Sequence, residues 1–208
     1  MKDISTPTVK LLAYTPHPQM IVATAMRQSR LRGGVSEVHL AEEDIERLIK
    51  LALTLKHFSV FEHASFTFAV EGISRACSHQ LVRHRFFSFT QQSQRFVKVD
   101  EFPFIIPPSI SKNSDTLEIF LNTIEVIKGA YSTLSKAVPI EDARFILPNA
   151  TETKIVATAN SRELMHFFKL RLDESAQWEI RTLAHLMFNE VHKVAPLIFN
   201  EENLKLYE

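Results

Sequence analysis

The sequence predicts an α+β fold in one domain that spans residues 1–208. Segments with strand-like alternation are interspersed with amphipathic helical segments, without the steady alternation of a doubly wound sheet. The chain has only four glycines, and none has the spacing of a dinucleotide fingerprint or a phosphate loop, which excludes those α/β folds. No internal repeat, low-complexity tract or linker divides the chain.

Three strands and one mixed segment are predicted. Residues 9–14 form an apolar run before a proline-containing turn, and residues 152–158 alternate apolar and polar side chains. Residues 65–71 alternate in the same way, and Gly72 is expected to end that strand. Residues 86–99 are expected to be loop and strand.

Apolar side chains recur at helical spacing in six segments, which predicts helices. These are residues 19–30, residues 42–56, residues 74–84, a helix capped by Ser114 or Asp115 that stops before Pro139, residues 160–171, and a last helix that begins near Ser175. Asn160 and Glu163 have the spacing of a capping box. The apolar stripe of the long fourth helix is expected to be core or a subunit contact.

Two connecting segments are expected to be irregular. Residues 57–63 are too short and mixed for a regular element, and the proline-rich residues 102–108 are expected to wrap the surface. His57, Glu62 and His63 invite a metal hypothesis, but their spacing matches no zinc pattern, so no metal site is predicted.

The composition limits the classes of function. The 24 basic and 24 acidic residues leave no net charge, which disfavours a nucleic-acid or membrane partner. The one cysteine, Cys77, excludes a disulfide within the chain and is expected to be a small buried side chain, not a nucleophile. No signal-peptide core is visible, and no apolar run approaches the ~20 residues of a membrane span. A soluble, cytoplasmic protein is therefore expected.

The residues that suggest chemistry are concentrated in residues 72–99, which contain no Asp or Glu. The cations of this segment are Arg75, Arg83, Arg85, Arg95 and Lys98. Amides and hydroxyls lie between them, a combination that suits a phosphate or another planar anion. Two other interpretations stay open: a single-stranded nucleic-acid binder that stacks phenylalanines on bases, and an oligomeric structural protein with a phenylalanine-rich interface.

Arg83-His84-Arg85, followed after seven residues by Ser93, resembles the signature of the flavin-dependent thymidylate synthases. The resemblance extends from about residue 57 to about residue 180. Its other parts are residues 57–63, Gln80, residues 143–148, residues 160–171 and residues 176–179, all in the order and spacing of the family. A lone basic triplet would be weak evidence, whereas this combination is specific.

The resemblance implies a methyltransferase that converts dUMP to dTMP without a cysteine nucleophile. The family uses FAD as its cofactor, with NADPH as reductant and 5,10-methylenetetrahydrofolate as one-carbon donor. It also implies a mixed or antiparallel sheet flanked by long helices, and a homotetramer with active sites at its subunit interfaces.

The family's binding residues can be carried over by position. The expected dUMP-binding residues are Gln80, Leu81, Val82, Arg83, Gln91, Gln92, Ser93, Gln94, Arg95, Arg144 and Arg171. The expected FAD-binding residues are His57, Ser59, Glu62, Arg83, His84, Arg85, Phe86, Gln91, Asn160, Ser161, Arg162 and His166. Arg171 is the expected catalytic residue, because a guanidinium beside uracil lowers the proton affinity of the ring nitrogen and makes carbon 5 more nucleophilic.

Three positions depart from the family's pattern. Gln91 stands where many members have Glu, so hydrogen bonding is expected to persist while the charge is lost. Phe96 stands where Tyr is usual, which removes a hydroxyl from the expected folate site. His166 stands where a known member has Asn, and it is expected to donate to FAD with a different reach.

Overall fold

The computed structural model describes residues 6–28, 34, 39–96 and 103–207. The ends of two predicted segments, residues 29–30 and 97–99, lie outside the described residues, as does residue 102.

Four strands form one sheet in the order β1–β2–β4–β3. They are β1 Thr8–Tyr14, β2 Ser65–Ser74, β3 Ser88–Gln91 and β4 Glu152–Asn160. Thr15, just after β1, donates its N–H to the carbonyl of Ser65 at the start of β2 at 2.9 Å. The Oγ1 atoms of Thr67 and Thr158, near the start of β2 and the end of β4, lie 2.9 Å apart. The predicted α+β class is confirmed, and the sheet is antiparallel.

The described residues contain eight α-helices. They are α1 Pro18–Gln28, α2 Glu42–Thr54, α3 Arg75–Leu81, α4 Pro108–Ser111, α5 Ser114–Ala137, α6 Ile140–Ala143, α7 Ser161–Arg171 and α8 Trp178–Val194. Within the same described residues, three further segments form 3-10 helices: Phe58–His63, Arg144–Ile146 and Asn203–Leu206. All six predicted helices are present. Helices α4 and α6 were not predicted, because four residues are too few to show a helical period.

Several predicted boundaries are wrong. Residues 57–63, expected to be irregular, contain a regular 3-10 helix. Helix α3 ends at Leu81, so the Arg83-His84-Arg85 triplet follows the helix and is not part of it. Helix α8 begins at Trp178 and not near Ser175, because the side chain of Gln177 caps it there.

The N-cap of α5 is Asn113, and neither Ser114 nor Asp115 as predicted. The Asn113 Oδ1 atom accepts the N–H groups of Asp115 at 2.9 Å and Thr116 at 3.1 Å. Asn is as effective at this position as the two residues that were predicted, so the preference for cap residues alone could not separate the three.

Strand β2 continues past Gly72, which was predicted to end it. Gly72 has a φ of 71°, a left-handed conformation that glycine adopts without steric cost. Its N–H donates to the Glu152 side chain at 3.0 Å. The surface position predicted for residues 102–108 is also wrong for Phe104 and Ile105, which are buried.

The chain divides into two compact units. The first comprises Met1–Pro7, Val70–Leu81 and Thr90–Ile155. In it, Phe104 packs on Phe120 of α5 with ring centroids 5.9 Å apart. Only Ile124 and Tyr131 of α5 are fully buried, so the predicted apolar stripe of this helix is core in part. Cys77 on α3 is fully buried, as expected.

The second unit comprises Thr8–Ala69, Val82–Phe89 and Val156–Glu208. Its core is a group of aromatic rings in edge-to-face contact. Phe168 of α7 meets Phe188 of α8 at 5.3 Å and Phe199 at 5.8 Å between centroids, and Phe199 meets Phe66 of β2 at 5.6 Å. Such pairs add to the stabilisation from buried area. They fix α7, which provides many of the site residues described below.

None of the described helices combines the length and the hydropathy that a membrane crossing needs.

Candidate active site

A cavity of about 710 Å³ lies in the second unit. Its size is typical of sites for small molecules and cofactors. The lining residues are Phe58, Glu62, Arg83, His84, Arg85, Phe86, Asn160, Arg162, Glu163, Met165, His166, Leu170, Arg171 and Tyr207. They include eight of the twelve predicted FAD-binding residues and the predicted catalytic residue, Arg171.

Helix α7 supplies the largest share of the lining, and its first turn is fixed by a cap. The Asn160 Oδ1 atom accepts the N–H of Glu163 at 2.9 Å, so the predicted N-cap is present. The Glu163 carboxylate, however, is directed to another partner: its Oε1 lies 3.6 Å from Nδ1 of His84. Glu163, His166 and Leu170 follow one another at three- and four-residue steps and therefore share one face of the helix.

The charges of the cavity are only partly compensated. Arg162 donates from Nη1 to Oε1 of Glu62 at 2.5 Å. Arg83 and Arg85 have no carboxylate partner among the residues that the structure describes. Two unpaired guanidinium groups offer forked donors that match phosphate oxygens. The donor set therefore fits a group with phosphate oxygens such as the diphosphate of FAD, and the lining also includes apolar residues such as Phe58.

His84 is the most buried titratable residue of the predicted FAD set. Its Nε2 atom accepts a hydrogen bond from Nε of Arg171 at 3.0 Å. The ring of Phe167 lies edge-on to the imidazole at 5.0 Å between centroids. Burial, together with the nearby charges of Arg171 and His166, lowers the pKa of His84 from 6.5 to about 4. The imidazole is therefore neutral at neutral pH.

Glu163 and Tyr207 line the cavity, although neither was among the predicted site residues. Burial raises the pKa of the Glu163 carboxyl and that of the Tyr207 phenol. The Tyr207 hydroxyl donates to the carbonyl of Ile198 at 2.6 Å, which holds its ring in the cavity wall. The sequence spacing predicts only that Glu163 belongs to the capping box at the start of α7. No sequence pattern near Tyr207 indicates a site.

In the first unit, Gln91 is held by two hydroxyl groups. Its Nε2 atom donates to Oγ of Ser78 and to Oγ1 of Thr153, each at 3.0 Å. The Ser78 hydroxyl hydrogen is itself donated to the carbonyl of Arg75, so its oxygen faces Gln91 as an acceptor. An amide satisfies this acceptor, whereas a carboxylate would bring two acceptors together. The chain thus compensates locally for its departure from Glu at this position.

Two arginines of the predicted dUMP set in the first unit, Arg95 and Arg144, both donate to Glu141, one to its carboxylate and one to its backbone carbonyl. Arg95 donates to Oε2 of Glu141, with Nη2 at 3.0 Å, and the Arg95 N–H donates to Oγ of Ser93 at 3.2 Å. Arg144 donates from Nε to the Glu141 carbonyl at 3.1 Å. Burial, then the charge of Arg144, lowers the pKa of nearby Arg75. Glu141 lies far from the motif in sequence, so the spacing gave no signal for it.

The other predicted residues do not line the cavity. Ser161 is fully buried, and its hydroxyl donates to the Ala64 carbonyl at 3.3 Å, so this side chain supports the start of α7. Leu81 is also fully buried. The rest are at least partly exposed: His57, Ser59, Gln80, Val82, Gln92 and Gln94. Phe96, which replaces the usual Tyr, is exposed beside the Arg95 guanidinium at 5.6 Å. No group of three potential metal ligands occurs in the described residues.

Comparison with known proteins shows which family this chain belongs to. The family model described as Thymidylate synthase complementing protein matches residues 10–197. A flavin-dependent thymidylate synthase of Clostridium tetani is 45% identical over 210 positions, which cover 92% of this chain and 84% of that protein. This chain belongs to the flavin-dependent thymidylate synthase family. A further member, from Geobacter sulfurreducens, is 48% identical over 198 positions, which cover 93% of this chain and 85% of that protein.

Solved structures agree with the family assignment. The UMP/dUMP methylase PolB from Streptomyces cacaoi, solved with 5-Br dUMP, has a TM-score of 0.85 at 26% identity over 97% of this chain and 96% of that one. Thymidylate Synthase X from Helicobacter pylori, solved with FAD and dUMP, has a TM-score of 0.71 over 96% and 100% of the two chains. At 23% identity, this structural match shows a shared fold and no more.

The predicted fold of the flavin-dependent thymidylate synthases is therefore confirmed. The predicted activity, the conversion of dUMP to dTMP, and the predicted FAD cofactor are confirmed as well. A nucleic-acid binder is no longer needed to explain the clustered arginines, nor a structural protein to explain the phenylalanine-rich segments.

Proposed function

We propose that the cavity of the second unit holds FAD and that Arg83, Arg144, Arg171 and the polar residues from Gln91 to Arg95 hold dUMP. The observation that supports this most directly is the convergence of eight predicted FAD residues on one cavity with two unpaired arginines. FAD, when bound, supplies the hydride that reduces the transferred carbon. NADPH and 5,10-methylenetetrahydrofolate are the proposed co-substrates.

Arg171 is the proposed catalytic residue. Its Nε is held by His84, and in the described part of the chain its terminal nitrogens have no partner. Those nitrogens are free to face the uracil ring of dUMP. An adjacent positive charge favours the ionised ring nitrogen, which raises electron density at carbon 5. The fully buried Cys77 is not used in this scheme.

The first prediction concerns flavin and Arg171. The purified chain should be yellow and should bleach under NADPH when oxygen is excluded. Arg171→Ala should keep the flavin spectrum and lower the rate of dTMP formation by about 100-fold or more, because one electrostatic contact to the transition state is lost. A colourless chain that fails to bind added FAD would contradict the proposed function, and native turnover by Arg171→Ala would remove that residue from the catalytic role.

We further propose that the chain acts as a homotetramer with active sites at its subunit interfaces. Each subunit would consist of one domain. If Arg144 and Arg171 reach one dUMP from different subunits, two inactive variants should complement each other. Co-expressed Arg144→Ala and Arg171→Ala chains should recover part of the native activity, because some mixed sites contain both arginines. The double variant expressed alone is the control and should stay inactive. If a verified mixed oligomer recovers no activity, one subunit supplies both arginines to each site.

A further inference from the structure

We propose that His84 and Glu163 are positioning residues for Arg171, and that together they fix the direction in which the Arg171 guanidinium presents its free nitrogens. The proposal rests on the proposed function in one respect, the role of Arg171 toward uracil. It assigns to His84 a role other than the predicted contact with FAD, and it brings in Glu163, which is not among the binding residues that the family resemblance implies.

The first step is the direction of the hydrogen bond between His84 and Arg171. A guanidinium has only donors, and its Nε carries a single hydrogen. The 3.0 Å contact therefore requires an unprotonated Nε2 on His84. A neutral imidazole with a bare Nε2 carries its hydrogen on Nδ1. The contact with Arg171 thus selects one of the two tautomers of His84.

The second step is what faces Nδ1. The Glu163 Oε1 atom lies 3.6 Å from it, which is longer than a hydrogen bond but places an acceptor oxygen opposite the Nδ1–H group. The His84 and Glu163 side chains are only 4% and 8% exposed, so water can replace neither partner easily. The imidazole thus lies between two polar partners, with a hydrogen bond from Arg171 on one side and the Glu163 carboxylate at 3.6 Å on the other.

The third step is the rigidity of the imidazole. Phe167 lies edge-on to the ring at 5.0 Å and Phe87 at 6.2 Å between centroids. A flipped ring would turn carbon atoms toward both Arg171 and Glu163 and leave both without a partner. Packing and polar contacts therefore favour the same ring orientation, and Nε2 keeps one direction.

Fixing Nε of Arg171 also fixes the orientation of its two terminal nitrogens. The guanidinium is planar, so holding Nε fixes the plane of the terminal nitrogens. Those two nitrogens have no partner among the described residues and remain available to a ligand. Loss of a fixed orientation at a reacting group typically costs more in turnover than in binding.

Paired variants test this. His84→Leu removes the acceptor, whereas His84→Gln can offer an amide oxygen near the position of Nε2. We expect His84→Leu to lower kcat by about 100-fold with its flavin content close to native, and His84→Gln to recover most of that loss. His185→Leu, at an exposed position of α8, is the matched control and should have native kcat.

Glu163 is tested in the same way. Glu163→Gln keeps an acceptor oxygen and should be near native, whereas Glu163→Leu should lower kcat by about tenfold because the imidazole loses its second contact. For both residues KM for dUMP should change less than kcat. A loss of flavin that parallels the loss of kcat across the four variants would indicate a merely structural or cofactor-binding role and would overturn the proposal.

A readout that needs no turnover is the tautomer itself. Nitrogen NMR of the chain labelled with ¹⁵N-histidine should show His84 protonated at Nδ1 and bare at Nε2, and the opposite tautomer overturns the proposal even if His84→Leu fails to fold. Activity measurements separate a failure of the positioning role from a failure of the proposed function. A native chain that makes no dTMP contradicts the proposed function, while an active native chain with an equally active His84→Leu contradicts only the positioning role.

Discussion

At the scale of the residue, the arginines of the site differ in whether their charge is compensated. Arg162 and Arg95 are each paired with a glutamate, which reduces their attraction for an incoming anion. Arg83 and Arg85 have no such partner in the described chain. Since exposed ion pairs contribute about 1 kcal/mol or less, the pairs are better explained as orienting their arginines than as stabilising the fold.

The buried imidazole of His84 makes stability depend on pH. Its pKa is about 4 in the folded chain against an ordinary value of 6.5. Between these values His84 binds a proton in the unfolded chain but not in the folded chain. The contribution of His84 to the free energy of unfolding is therefore fully present above pH 6.5 and is lost as the pH falls toward 4. The expected loss is about 3 kcal/mol.

Urea unfolding of native chain and His84→Gln at several pH values measures this effect. The raised pKa of Glu163 acts in the opposite direction, because the folded chain then takes up its proton more readily. The informative quantity is therefore the difference between the two chains. The native chain should lose more stability than His84→Gln as the pH falls, and parallel curves would show that His84 is not buried in its neutral form.

At the scale of the element, two asparagine caps allow structure and function to be separated. Asn113 caps α5 and lies on the surface, whereas Asn160 caps α7 and lines the cavity. Asn113→Ala and Asn160→Ala should each lower the free energy of unfolding by about 1 kcal/mol, because each leaves N–H groups of a first turn without an acceptor.

Only Asn160→Ala should also weaken the binding of FAD. Chemical unfolding and titration of the flavin-free chain with FAD measure the two effects. Equal FAD affinity in both variants would show that the Asn160 side chain serves the helix alone.

The elements that sequence periodicity predicted are those whose signal is local. Helices α2 and α7 and strand β4 repeat their apolar residues at the expected step, and the structure contains them. Gly72 was interpreted as a strand end, because a glycine's tolerance of positive φ is invisible without the neighbouring strand that supplies its partner. Prolines around Phe104 indicated a surface segment, although burial of this residue depends on α5.

Only the site residues that lie within the family motifs could be predicted from the sequence. Motif spacing led to the arginines of the cavity, but Arg171 and His84 are 87 residues apart, and their hydrogen bond has no local pattern. Glu163 was interpreted as part of a capping box because its spacing from Asn160 fits one. Its carboxylate instead lies 3.6 Å from the His84 imidazole, which only the packing of α7 against the segment that contains His84 shows.

At the scale of the whole molecule, balanced charge and a charged site coexist. With 24 basic and 24 acidic residues, the chain has no overall field to draw anions over long distances. The proposed recognition of phosphate therefore depends on short-range contacts with a few arginines. The family model matches residues 10–197, so the family resemblance covers nearly the whole chain.

The single cysteine has a practical consequence. Cys77 is fully enclosed in the first unit, and a thiol closed to solvent reacts slowly with maleimides and iodoacetamides. The native enzyme is therefore already suited to site-specific labelling. A cysteine introduced at an exposed position of α5, such as Glu125→Cys, would be the only reactive thiol, and a fluorophore or spin label could be attached there without first removing any native residue.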